Sequence, residues 1–272
     1  MKINVYGCRG SIPYARGVSE FGGNTSCMSI RTGNDELIFD AGSGLYSLLE
    51  RLRRDYGPNF DGLPVTHILL SHLHLDHVIG LGMFAPAWSG FKVRIYTLDR
   101  GCGSLKEQVL GLFAPPYWPV DMKKLPNTEI VEIEPDVPFQ IGCFTVTAFT
   151  AEHPDGTLSF HVTDGENSFV HLLDSEYPGE SSEEQPPHMR YLDGADLVVF
   201  DACYMPGDYF RHKGWGHSTV LHGIEFSRRW NVKRMMFSHF AQAYTDAQLR
   251  SLAEHFGGDT FLLAKDNMEL EL

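Results

Sequence analysis

Three histidines and an aspartate crowd into six residues, His72-Leu73-His74-Leu75-Asp76-His77. The run follows His67-Ile68-Leu69-Leu70, an apolar segment that reads as a buried strand delivering the motif to the edge of a sheet. His72 and His74 are two residues apart, so in extended chain both imidazoles face the same way. Asp76 and His77 come after a turn, where Leu75, Val78, Ile79 and Leu81 indicate a short helix. Two ligand pairs, His72 with His74 and Asp76 with His77, thereby face a common centre. Imidazole and carboxylate donors suit zinc first, with manganese or iron as alternatives. A solvated His-rich turn would not need to follow a buried strand. The motif therefore points to a metal site.

The remaining candidates are recognised by where they stand relative to the elements that carry them. His153, Asp174 and His239 each come after a predicted strand (Phe139 to Phe149, Asn167 to Leu173 and Lys233 to Phe237), and Asp201 ends the strand Ala195 to Asp201. Loops at one edge of a sheet converge, so residues far apart in sequence can meet there. His161 and His171 lie inside predicted strands, His188 in an acidic, Pro-bearing stretch (176–190) expected as loop, and His222 and His255 on helices. Those five are assigned structural roles, and His67 packs or caps. Gly216-His217-Ser218-Thr219 precedes a helix carrying Val220, Leu221, Ile224 and Phe226, and Arg211, His212 and Lys213 lie just upstream as candidate phosphate contacts. A glycine-rich stretch from Gly7 to Asn24 allows two roles: backbone amides, Arg9 or Asn24 touching a phosphate or the metal-binding turn, or plain turn chemistry. A helix with Leu45, Leu48, Leu49 and Leu52 on one face is expected, and another over 103–113.

Composition sets limits on the partners. The 272 residues carry a formal charge of −13, which disfavours a nonspecific grip on nucleic acid. Two divalent cations would leave the balance acidic. Five scattered cysteines (Cys8, Cys27, Cys102, Cys143, Cys203) form no C-x-x-C pair and, with no signal-like apolar segment at Met1, suggest a reduced, cytoplasmic setting. No run of about 18 apolar residues appears, so no membrane span is expected. With no internal repeat or linker, 1–272 reads as a single domain.

The H-x-H-x-D-H run, with strand-end His153 and Asp174 and the pair Ser238-His239, resembles the metal motifs of the metallo-β-lactamase superfamily, and the resemblance covers nearly the whole chain. It implies an α/β fold of the αββα sandwich type, two mixed sheets flanked by helices. It also implies two metals: His72, His74 and His153 on one, Asp76, His77 and His239 on the other, and Asp174 bridging them. The Asp174 type of bridge, Gly216-His217-Ser218-Thr219 and the opening Gly7-Cys8-Arg9-Gly10-Ser11-Ile12-Pro13 look most like the phosphodiesterase branch, which includes ribonuclease Z and phosphoribosyl 1,2-cyclic phosphodiesterase. β-Lactamases of the fold usually carry a Cys ligand, and none of the five cysteines stands at a motif position.

By that resemblance, a hydroxide shared between metals roughly 3.5–4 Å apart attacks a phosphodiester in line. Asp76 orients the nucleophile or accepts its proton, and His217, held by Asp201, protonates the leaving oxygen. Ribonuclease Z enzymes show Glu-Ala-Thr where this chain has Asp201-Ala202-Cys203, so the carboxylate here is one methylene shorter. They also carry a long tRNA-gripping arm, whereas here only 21 positions separate His153 from Asp174. The expected substrate is a small cyclic or nucleotide phosphodiester, with nucleic acid disfavoured and a homodimer left open. The rivals are another hydrolase of the fold (exonuclease, lactonase or thioesterase) and a non-catalytic member that binds metal or nucleotide.

Overall fold

Leu197–Asp201 is buried at every position, so this strand must be covered on both faces. In the computed structural model, which describes residues 1–14, 17, 19–84, 91–177 and 187–272, it lies inside a seven-stranded sheet. The order there is Phe261–Leu263, Met235–Ser238, Leu197–Asp201, Ser168–Leu172, Thr157–Thr163, Phe144–Ala151 and Phe139–Ile141. The other seven-stranded sheet runs Glu269–Glu271, Lys2–Gly7, Cys27–Thr32, Asp35–Phe39, Thr66–Leu69, Val93–Thr97 and Thr128–Glu132. Both sheets mix parallel and antiparallel pairs, as expected.

The two sheets face each other across a core that includes Ile3, Val5 and Phe39 from one and Phe160, Phe169 and Val198 from the other. The Phe39 ring packs 5.1 Å from Phe169 and 5.9 Å from Phe160. Leu45, Leu48, Leu49 and Leu52 of helix Leu45–Tyr56 fall at i, i+3, i+4 and i+7, and that stripe packs with Ile38, Ile68 and Ile95 on the outer side of the first sheet. Each such leucine is worth roughly 1.5–3 kcal/mol of burial. Helix Val220–Arg229 covers the second sheet, its Gly223 fitting closely against Phe237 and Phe200. The αββα sandwich is the observed architecture.

Strand direction decides where the site forms. Ser168–Leu172, Leu197–Asp201 and Met235–Ser238 are mutually parallel. Phe144–Ala151 is antiparallel to Thr157–Thr163, which is antiparallel to Ser168–Leu172, so it runs the same way as the other three. The four strands therefore end at one edge, where Asp201 closes its strand and His153, Asp174 and His239 follow theirs. Asp35–Phe39 and Thr66–Leu69 form a parallel pair in the first sheet and lead into Asp40 and the histidine motif.

Several local expectations shift. His72 and His74 lie in irregular chain between strand Thr66–Leu69 and helix Leu75–Phe84, not in extended strand. The helix expected over 103–113 is only Leu105–Leu110: its N-cap Ser104 accepts from the Glu107 amide, and Gly103 before it has φ of 84°. In the acidic stretch expected as loop, 178–186 lie outside the described residues, and Pro187–Leu192 forms a 3-10 helix. Among the described residues no helix is long and apolar enough to cross a membrane.

Candidate active site

Four overlapping groups of ligand-type side chains meet at the shared edge among the described residues, and two of them account for all seven motif positions. His72, His74, His153 and Asp174 form one, with their donor atoms within 4.8 Å of each other; Asp76, His77 and His239 form the second. Asp174 stands between them. Its Oδ1 is 3.1 Å from His77 Nε2 and 3.2 Å from His239 Nε2, while its Oδ2 is 3.7 Å from both His72 Nε2 and His153 Nε2. One carboxylate thus presents one oxygen to each group. Asp40, Asp174 and His239 all have positive φ (59°, 48° and 64°), a conformation uncommon outside glycine that a functional site can retain.

Hydrogen bonds to the far ring nitrogens settle which way the imidazole lone pairs point. His153 Nδ1 donates to the Gly216 carbonyl at 2.9 Å, which leaves Nε2 unprotonated, 3.3 Å from His74 Nδ1. Ser71 Oγ gives its one proton to Asp40 Oδ1 at 2.8 Å and so accepts from His72 Nδ1 at 3.0 Å. His72 Nε2 is then a buried lone pair with no hydrogen-bond partner. His77 Nδ1 donates to Asp40 Oδ2 at 2.8 Å, turning its Nε2 toward Asp174 and toward His239 Nε2, 3.2 Å away. Unprotonated ring nitrogens converging on buried carboxylate oxygens call for a cation, with His72, His77, His239 and Asp174 buried and His74 open to solvent, and this donor set fits divalent metal.

The electrostatics agree. Burial holds His72 well below the ordinary histidine range, in the neutral form that ligation requires. At His77 burial opposes protonation, but Asp174, Asp76 and Asp40 outweigh it and push the group well above its usual value. With Asp40 taking the proton of Nδ1, Asp174 and Asp76 call for positive charge at Nε2, 3.1 and 3.4 Å away, and either a proton or a metal ion supplies it.

His217 stands beside this double site. Its Nδ1 donates to Asp201 Oδ2 at 2.8 Å, so the shorter carboxylate makes the contact. Asp201 is fully buried, and the amides of Asp174, Cys203 and Ser218 also donate to it at 3.1, 3.0 and 2.9 Å. Burial alone would lower the pKa of His217; the Asp201 carboxylate, followed by Asp174 and Asp76, lifts it to about 9. An imidazolium fixed at Nδ1 leaves Nε2–H free to donate.

With this geometry in view, the sequence model of the beta-lactamase superfamily domain matches residues 36–240. The chain belongs to the beta-lactamase superfamily. It is similar to a ribonuclease Z of Haloarcula marismortui, 22% identical over 313 aligned positions that cover 99% of this chain and 96% of the relative. Among solved structures it resembles the metallo-beta-lactamase fold protein YhfI from Bacillus subtilis, at a TM-score of 0.75 and 23% identity over 100% of this chain and 98% of the other. It also resembles a diphosphatase from the PhnP family, at a TM-score of 0.69 and 15% identity over 100% and 97% of the two chains. At these identities the structural likeness carries the metallo-β-lactamase fold.

All seven superfamily ligand positions read from the motifs come together, and so do His217 and Asp201. The glycine-rich opening resolves in favour of both of its roles. The Ser11 amide donates to Asp76 Oδ2 at 2.6 Å and so touches the metal-binding turn. Arg9, in contrast, is fully buried, donating to the Gly22 and Tyr244 carbonyls and pairing with Asp246. Asn24 donates to Tyr6 O and Ser47 Oγ. Both are structural. Gly10 pairs with Ala241 beside the site, where an added Cβ would sit 2.5 Å from His239 Cε1. Of the candidate phosphate contacts, Arg211 and Lys213 are exposed, and the His212 ring stacks on Tyr204 while Nδ1 donates to Asp208 O at 2.9 Å.

Two contributors escaped the sequence reading. Asp40 fixes His77 and Ser71, and its only signal was a strand-end position like those of Asp174 and Asp201. Glu176 accepts from the Gly214 and Gly216 amides and from Tyr209 Oη, which tethers the segment leading to His217. No sequence signal marks it.

The histidines set aside as structural behave so where described. His171 is buried with its ring stacked on Phe39, and burial lowers it to about 4. His67 pairs with Tyr96 Oη, and His161 stacks on Tyr191.

Proposed function

We propose that this superfamily member is a hydrolase of small phosphodiesters, working as one catalytic domain on a pair of divalent cations, zinc first and manganese or iron as alternatives. The observation that carries this reading is Asp174, whose two oxygens face two separate histidine groups. His72, His74 and His153 would hold one ion with Asp174 Oδ2. Asp76, His77 and His239 would hold the other with Oδ1. Bound there, the pair supplies Lewis acidity toward the phosphoryl group and ionised water near neutral pH.

The chain's own residues do the rest. Asp76, pinned by the Ser11 amide, orients the attacking water or accepts its proton. His217 delivers a proton from Nε2 to the departing oxygen while Asp201 keeps the opposite nitrogen protonated. A complete bridged set with a poised acid beside it favours an enzyme over a binding module, and an acid for an alkoxide leaving group favours esters that need one. Five unpaired cysteines accord with a reducing, cytoplasmic setting.

The size of the substrate follows from charge and from space. The acidic balance repels a polyanion, and one hairpin, Thr157–Thr163 with Ser168–Leu172, occupies most of the interval from His153 to Asp174. The likeness to ribonuclease Z along 99% of the chain favours a second reading, in which the ester is part of an RNA. Comparing kcat/KM on 2′,3′-cyclic nucleotides with cleavage of precursor tRNA decides between them. Much faster turnover of the cyclic nucleotides supports the first reading, and efficient, site-specific tRNA processing overturns it.

A further inference from the structure

Large apolar side chains in the open are ordinary singly, but when clustered they mark a binding surface. Several here adjoin the site in sequence: Ile12 follows Ser11, Leu75 lies between His74 and Asp76, and Trp215 precedes Gly216, whose carbonyl holds His153. Trp215 is 62% exposed and Phe210, on the same segment, 84%. Neither is there by looseness of the chain. Glu176 accepts from the Gly214 and Gly216 amides on either side of Trp215, and the Trp215 amide itself donates to His212 O at 3.0 Å.

A relay of rings connects this tryptophan to the general acid. Tyr204 meets His217 edge-on with centroids 5.7 Å apart, His212 stacks on Tyr204 at 4.4 Å, and Trp215 meets His212 edge-on at 5.1 Å. The indole is thus linked through two intervening rings to the imidazole that would protonate the leaving group. Exposed Arg211 and Lys213 flank His212 and set positive charge beside the aromatic surface of a chain whose net charge is −13. A flat ring surface next to cations complements a planar base attached to a phosphate.

We propose that Trp215 is a specificity-determining residue, a platform on which the nucleobase of a nucleoside phosphodiester stacks while its phosphate occupies the site. This rests on the phosphodiesterase reading and names its substrate class. The test uses the full-length, metal-loaded protein and a matched pair of esters, adenosine 2′,3′-cyclic phosphate and the base-free methyl riboside 2′,3′-cyclic phosphate.

Stacking one base supports a preference of about tenfold in KM for the adenosine ester. In Trp215→Ala that preference should collapse to about one, and Trp215→Phe should restore most of it. A preference that survives in Trp215→Ala, or is absent from the wild type, overturns the proposal. If neither ester is turned over, the phosphodiesterase reading fails, and binding still decides this one. Calorimetric titration should then show adenosine monophosphate bound about tenfold more tightly than ribose 5-phosphate by the wild type and equally by Trp215→Ala. Equal binding by the wild type overturns the platform.

Discussion

Replacing His217 with alanine should separate substrates by their leaving groups. General acid catalysis contributes about 10²–10⁴-fold, which is roughly 3–5.5 kcal/mol of barrier. The upper part of that range is expected here, because the 2.8 Å contact with Asp201 fixes the ring before substrate arrives. The substitution should spare the fold. Asp201 still accepts from three backbone amides, and His217 belongs to neither histidine group that faces Asp174. An alkyl ester such as a ribose cyclic phosphate should therefore lose about 10³–10⁴ in kcat, whereas a 4-nitrophenyl ester, which needs no acid, should lose less than about threefold. Metal content should not change.

The same assignment fixes the sign of a pH effect. His217 is lifted toward about 9 and acts protonated, so the alkyl-ester rate holds below that pKa and falls as pH rises through it. Cations on Asp174 and Asp76 would cancel two of the lifting influences and leave Asp201, moving this limb to lower pH. The limb should disappear in His217→Ala. Steady-state kinetics on both esters across pH, with metal analysis of each preparation, make the comparison. Equal losses on the two esters would refute the acid and leave His217 as a positioning group.

Asp40→Ala removes the acceptor for His77 Nδ1 and for Ser71, and metal affinity should weaken by about 10–100-fold when measured by competition with a chelator. Denaturant melts of the same variant should show a loss of at least about 1–3 kcal/mol, because buried donors are left unpaired. Gly10→Ala places a Cβ against His239 and should displace that ring, with a loss of about 10²-fold in kcat and a weakened metal group around Asp76, read from turnover and metal content.

Much of the candidate site was legible because several of its residues obey one rule, standing at or just after the ends of strands that point the same way. His153, Asp174, Asp201 and His239 could be placed without knowing the sheet order, since each needed only its own strand. The two-residue spacing of His72 and His74 does bring their rings together, with centroids 4.4 Å apart, although the chain there is irregular rather than extended; Ser71 beside them donates to Asp40. Asp40 itself was passed over because Asp40-Ala41-Gly42-Ser43-Gly44 reads as an ordinary turn into a helix. Arg9 shows the converse limit. An arginine in a glycine-rich loop suggests a phosphate contact, and only the fold reveals Tyr244 and Asp246 closing over it from more than 200 residues away. Glu176 works by collecting amide protons from a distant loop, a role that leaves no trace in side-chain patterning.

The central claim is a pair of cations bridged by Asp174, and adding zinc in steps to metal-stripped protein tests it most directly. Bound zinc and turnover of a 4-nitrophenyl phosphodiester are followed together. Activity should saturate as occupancy reaches two ions per chain, and Asp174→Ala should hold fewer ions and show no turnover. Saturation at one ion per chain, or full occupancy and normal rates in Asp174→Ala, would contradict the account.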